Sequence, residues 1–308
     1  MAKRSGDEQR YMGGQAVLEG VMMRGASHWA VSARGLDGHI KTVVREVPGW
    51  AERYRNIPIV RGVTGLGESL GLGYRALTWS ANQQVPEDEQ VSEKAMGWAV
   101  GVAMVIFSAI FIVLPAIAGN SLKNVFHGSF PLVEGIVRLG LFILYIFAIG
   151  HMRDIKRVFQ YHGAEHKSIA AYENGVELTP ETAQQFSTAH VRCGTNFLLT
   201  VMVVAIVVYS LIPRPSLLFV VGSRVVLIPL IAGLSYEVIR ISARNIQRPW
   251  VRALMRPGLL LQKLTTREPD LDQLEVAITS LRAVMTAEQL AEVDARAGVR
   301  VPAVAPAV

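Results

Sequence analysis

The feature that most constrains this chain is the run at 95–119: 25 residues without a formal charge, most of them apolar. A bilayer needs about 20 consecutive apolar residues in a helix, so the run predicts a transmembrane helix over 96–117. Three further stretches follow the same logic. The segment 132–150 is apolar except for Glu134 and Arg138, which stand four apart in the favourable acid-before-base order. The segment 194–213 holds 20 residues with no charge, and 217–239 is apolar around Arg224, with Glu237 near its end. Charged residues make up 18% of the chain, below the roughly one quarter of a soluble domain. The expected fold is therefore mainly α, a polytopic membrane protein with four transmembrane helices in two hairpins.

Basic residues orient the spans. Arg153, Lys156 and Arg157 follow the second, and Arg240, Arg244, Arg248, Arg252 and Arg256 follow the fourth, whereas the opposite connections hold only Lys123 and Arg214. Both chain ends and the central connection are expected on the cytoplasmic side. The five arginines recur every fourth residue near one side of a helix, interrupted by Pro249. They suit a bilayer surface, explain most of the net charge of +6 and give no reason to invoke nucleic acid. Residues 1–10 are polar and charged, which predicts no secretory signal peptide.

Three units follow: a cytoplasmic α+β part at 1–94, a membrane part at 95–241 with a His-rich cytoplasmic loop at 151–192, and a helical segment and tail at 242–308. In the first, 29–33 and 39–46 read as two strands joined through Gly35, Asp37 and Gly38, and 63–80 reads as an amphipathic helix at the interface. Before them lies a glycine-rich run from Gly13 to Gly25, suited to close backbone approach, of which Gln15 or the lone carboxylate Glu19 is expected near His162. In the last unit, Leu271, Leu274, Ile278, Leu281 and Val284 mark a helix over 270–284, and 297–308 reads as disordered. A single cysteine, Cys193, excludes an internal disulfide.

Four of the seven histidines, His151, His162, His166 and His190, fall in the central loop, and Cys193 closes it. His162 and His166 share a helical face and can reach one metal ion. With Glu165 they spell the H-x-x-E-H pattern of inverted zinc peptidases. His190 and Cys193 add nitrogen and sulfur donors of the kind zinc prefers. Taken singly, each histidine is more simply an interfacial group bonded to a carbonyl, and Cys193 a small buried apolar residue; the group together points to a zinc or other divalent metal site. Glu165 stands as the base and Arg192 as the cation for a developing anion. The third ligand stays open among His190, Cys193, Glu173 and Glu237.

Gly14-Gln15-Ala16-Val17-Leu18-Glu19-Gly20-Val21-Met22-Met23-Arg24, His162-Gly163-Ala164-Glu165-His166-Lys167, His190-Val191-Arg192-Cys193-Gly194-Thr195, Tyr236-Glu237 and Thr265-Thr266-Arg267-Glu268-Pro269-Asp270 resemble the signatures of the DUF1385 family of bacterial membrane proteins, over about residues 11–284. The resemblance implies a predicted metal-dependent enzyme in a bacterial plasma membrane. Two functions follow as expectations: a metal-dependent hydrolase at the cytoplasmic face, acting on a membrane protein segment or a lipid headgroup, or a non-catalytic scaffold whose metal, if any, is structural. Three protein ligands favour the first and four the second, since catalytic zinc keeps a position open.

Overall fold

The computed structural model describes residues 12–122, 130–190, 193–213, 216–245 and 247–298. Arg192 and all of the expected disordered tail except Ala297 and Gly298 lie outside them.

Four antiparallel strands form a meander: β1 (Gly13–Val17), β2 (Gly20–Arg24), β3 (His28–Arg34) and β4 (Ile40–Glu46). The β3–β4 hairpin is the one expected, with Gly38 at φ 78 in its turn. The glycine-rich run is itself a hairpin. Val17 pairs with Gly20 around Leu18 and Glu19, Glu19 has φ 50, and a Cβ at Gly20 would run into the Ser32 carbonyl oxygen. Glycine there is a condition for β2 to lie against β3.

Helix α1 (Val60–Asn82) covers one face of the sheet, through Val17, Met22, Trp29, Val31, Leu72 and Ala76. An apolar stretch then runs through α2 (Glu93–Ser108), a π-helical turn (Ala109–Val113) and α3 (Leu114–Leu122). Next come α4 (Phe130–Ile149), α5 (Arg153–Glu173), the short α6 (Pro180–Ala183) and α7 (Gly194–Ser210). The chain ends through α8 (Leu217–Val226), α9 (Ile228–Arg244), α10 (Pro249–Thr265), α11 (Leu271–Ala283) and α12 (Ala287–Asp294). The central loop is thus largely the helix α5. It packs with α11 on the other face of the sheet, where Met23, Ala30, Tyr161, Ala164, Leu274 and Leu281 are all buried in one core. Stretches far apart in the sequence, all expected on the cytoplasmic side, share this core.

Among the described residues, two helices are long and apolar enough to cross a membrane, Glu93–Gly119 and Pro131–Ile149. Leu218–Val226 and Ile228–Arg244 count as a third if the pair, bent by 48°, forms one span. The expected third span is the apolar helix Gly194–Ser210, which at 17 residues is shorter than a full crossing. Val105, Leu144, Val207 and Leu218 stand exposed on these helices, surface that hydrocarbon rather than water would cover. The arginine series is split between two helices, because α9 stops at Arg244 and Pro249 opens α10.

Candidate metal centre

The centre is built where α5 meets the start of α7. On α5, His162 and His166 lie one turn apart, their ring centroids separated by 4.5 Å. Each ring is turned by a backbone carbonyl: His162 Nδ1 donates to Thr265 O at 2.8 Å and His166 Nδ1 to Thr188 O at 2.6 Å. A carbonyl only accepts, so the proton sits on Nδ1 and the Nε2 lone pair is left to face inward. Cys193 is the N-cap of α7, and its Sγ lies 3.3 Å from His162 Nε2. Thr195 N–H donates to the same sulfur at 3.5 Å, and Thr195 Oγ1 lies 3.2 Å from it. One ligand atom from each of His162, His166 and Cys193 fits within a 4.8 Å cluster.

The donor set fits a borderline-soft divalent ion. Bonds of about 2.0 Å to nitrogen and 2.3 Å to sulfur at a tetrahedral angle separate the two ligands by roughly 3.5 Å, close to the 3.3 Å between His162 and Cys193. Holding the far imidazole nitrogen on a carbonyl is the arrangement that orients metal-binding histidines.

Glu165 follows His162 by one turn and is 6% exposed. Its side chain lies against Gly14 of β1, where a Cβ would stand 2.8 Å from Glu165 Cγ. Burial raises the Glu165 pKa; the nearby His162 and His190 and the Gly14 N–H oppose that rise. Burial also lowers the pKa of His166, against its hydrogen bond with Cys193.

The remaining candidates stand apart from the trio. His190 Nε2 lies 3.4 Å from Glu173 Oε2, its ring centroid 5.7 Å from that of His166. Gln262 brackets the His190 backbone, accepting from its N–H and donating to its C=O, both at 2.9 Å. Glu237 belongs to another contact: it accepts from Arg61 Nε at 2.7 Å and from Ile59 N–H at 3.2 Å, tying α9 to α1. Glu19 does reach α5, but one turn early, pairing with Arg157 and accepting from the Tyr161 hydroxyl at 3.3 Å. Gln15 is on the wrong face of the sheet: strand alternation that turns Gly14 toward Glu165 turns Gln15 toward Gly73 of α1. The catalytic expectation for Arg192 lies outside the described residues.

Residues 265–270 hold the centre from behind. Besides Thr265, Arg267 N–H donates to Phe159 O at 2.9 Å and Lys167 Nζ meets Glu268 at 2.8 Å. A Cβ at Gly163 would collide with the Arg267 carbonyl oxygen, which explains a glycine in the middle of α5. Thr188, Gln262 and Thr265 were missed by sequence reasoning. They act through backbone atoms or as common amides, and only the recurrence of Thr265 in a family signature pointed to that strap.

A cavity of about 960 Å³ reaches Cys193 from the other side, bounded by the β2–β3 turn, α1, α7 and α9 and carrying Arg24, Arg61, Glu68, Tyr236 and Arg240.

The profile of the family described as "Protein of unknown function (DUF1385)" matches residues 57–287. The chain is also 35% identical to "Uncharacterized protein YqhQ" of Bacillus subtilis (strain 168) over 298 residues, covering 91% of this chain and 94% of that protein. No solved structure matches.

Proposed function

We propose that this chain, which belongs to the DUF1385 family, is a metal-dependent hydrolase working at the cytoplasmic face of the bacterial plasma membrane. The observation that carries the reading is the three-donor set: two imidazoles with Nδ1 fixed on carbonyls and Nε2 turned toward Cys193. His162, His166 and Cys193 would hold the ion. Zinc, when bound in such a set, supplies Lewis acidity and an acidified water. Glu165, buried beside His162, is placed to take a proton from a water entering the centre and return it to a leaving group. The withdrawal of His190 toward Glu173 leaves the donor set open, which supports an enzyme over a structural metal in a scaffold.

The substrate is membrane-borne, a protein segment or a lipid headgroup, and enters by the cavity that ends at Cys193. Its walls include α7 and α9, the ends of two apolar helices. The accompanying topology is four crossings with both termini in the cytoplasm.

A second reading rests on the Cys193–His162 contact itself. A thiol within reach of a base that is in turn oriented by Thr265 O is also the arrangement of a metal-free cysteine nucleophile. Metal analysis of detergent-purified protein separates the two. The metal reading expects about one zinc per chain, lost in His162→Ala and His166→Ala and kept in Glu165→Gln, which loses activity. Metal-free wild type whose Cys193 is alkylated quickly would sink the first reading in favour of the second.

A further inference from the structure

A second cavity lies further along α1 and belongs to no part of the metal centre. It measures about 660 Å³ and is bounded by β3, β4, the C-terminal half of α1 and the first residue of α2. Its groups divide sharply by partnering. Tyr74 and Asn82 are satisfied by the chain: the Tyr74 hydroxyl donates to Glu93 O at 3.0 Å, and Asn82 exchanges hydrogen bonds with the Val91 backbone. Arg45, Arg75 and the Glu93 carboxylate make no ion pair among the described residues. Trp29, 2% exposed, lines the same cavity, and its indole N–H has no hydrogen-bond partner. That N–H is closed off from the cavity, so the polar groups open to a ligand are the exposed Arg45, Arg75 and Glu93.

We infer that this cavity binds the headgroup of an aminophospholipid, with the phosphodiester on Arg45 and Arg75 and the ammonium on Glu93. Two guanidiniums select an oxyanion. The lone carboxylate among them disfavours a purely anionic ligand and suits a zwitterion carrying a cation at its other end. Trp79 and Tyr74 add aromatic surface that an ammonium can also face. Position decides between a lipid and a soluble phosphoester. Glu93 is the first residue of the apolar helix Glu93–Gly119, so the cavity sits where that helix enters the bilayer, at headgroup depth. Trp and Tyr gather at this level in membrane proteins.

The site is independent of the hydrolase reading, and its test uses the intact protein in mixed micelles holding equal amounts of phosphatidylethanolamine and phosphatidylglycerol. Native mass spectrometry then counts bound lipid. Wild type is expected to carry phosphatidylethanolamine over phosphatidylglycerol by about tenfold, the equivalent of one charge-assisted hydrogen bond. Glu93→Gln erases the preference, while the double variant Arg45→Gln/Arg75→Gln loses the adduct. Both arginines are exposed, so the double variant is expected to melt with wild type and to keep the same metal content. Equal adducts of the two lipids in wild type, or a double variant that still binds, overturns the site. Displacement of the lipid by free phosphoethanolamine at equal concentration overturns the lipid source in favour of a soluble phosphoester.

Discussion

At the scale of single residues, Gly163 shows how the centre departs from helix rules. Glycine inside a helix normally costs about 0.5–1 kcal/mol relative to alanine, so Gly163→Ala should stabilise an ordinary helix. Here the added methyl meets the Arg267 carbonyl oxygen. The expected outcome reverses sign, with a loss of about 1–3 kcal/mol from overpacking and a lower melting temperature by scanning fluorimetry. If the proposed metal is bound, zinc content should fall as well, because the displaced strap carries the carbonyl of Thr265 that orients His162. A variant that melts at or above wild type would show that the strap yields freely and does not hold the ring. Gly14→Ala makes the parallel case for Glu165: its methyl would stand 2.8 Å from both Glu165 Cγ and Met23 Sδ. The helical spacing of His162 and His166 was legible in the sequence, since residues four apart share a face. The convergence of Cys193 with them was not fixed by spacing, because it lies 27 positions after His166. Nothing in composition announced that Glu237 answers Arg61, or that Gln15 faces α1.

At the scale of elements, legibility followed periodicity. The apolar positions of 270–284 gave α11 almost to the residue, and Asp270 closes its start with a capping box to Gln273. Strands β3 and β4 were legible from their apolar and β-branched residues. Strands β1 and β2 were not, because glycines at 13, 14 and 20 replace the side chains that mark a strand and β2 is buried on both faces. Apart from the turn of His162 and His166, helix α5 hid in what read as a loop: its polar residues, including Lys167 and Glu165, are buried against neighbours rather than displayed on a wet face. Between elements, Gln262 of α10 carries the segment before α7. It is fully buried and holds both backbone groups of His190. Gln262→Leu leaves the His190 N–H unpaired, at about 1–3 kcal/mol, while the His190 C=O keeps only the bond from Cys193 N–H at 3.3 Å. Hydrogen exchange should then rise around His190, ahead of global unfolding, and under the metal reading zinc should be released at lower chelator concentration than from wild type. Unchanged exchange there would show that the segment is held by other contacts.

At the scale of the whole molecule, the proposed topology makes the cytoplasmic core and the membrane helices one functional object. Reporter fusions after Gly150 and Ser242 are expected to read cytoplasm, and fusions after Asn120 and Pro215 the outside; an external signal at Gln160 would put the centre across the membrane and end the model of a cytoplasmic site. What joins the apolar helices to one another is a charge cluster. Glu134 of α4 accepts from Arg224 of α8 at 3.0 and 2.5 Å and from Arg138 at 2.6 Å, while Arg138 also donates to Phe111 O in the π-helical turn at 2.8 Å. The Arg224 guanidinium lies 4.1 Å from the ring centroid of Tyr209, whose hydroxyl donates to Arg224 O at 3.1 Å. Glu134 and Arg224 are each 1% exposed, so α4, α7, α8 and the π-helical turn meet on one carboxylate. Charges this deep are costly unless paired, and removing one partner of a buried pair costs about 3–5 kcal/mol. Glu134→Gln removes the only counter-charge that two guanidiniums have among the described residues and is expected to cost in that range, measured by unfolding in bicelles. Arg224→Gln alone leaves Glu134 with Arg138 and should cost less. The double variant should be less destabilised than the sum of the singles, since the charge that Glu134→Gln strands on Arg224 is then gone. If Glu134→Gln stays within about 0.5 kcal/mol of wild type, the range of an ordinary surface substitution, the carboxylate is hydrated in the membrane and the helices are held together by packing alone.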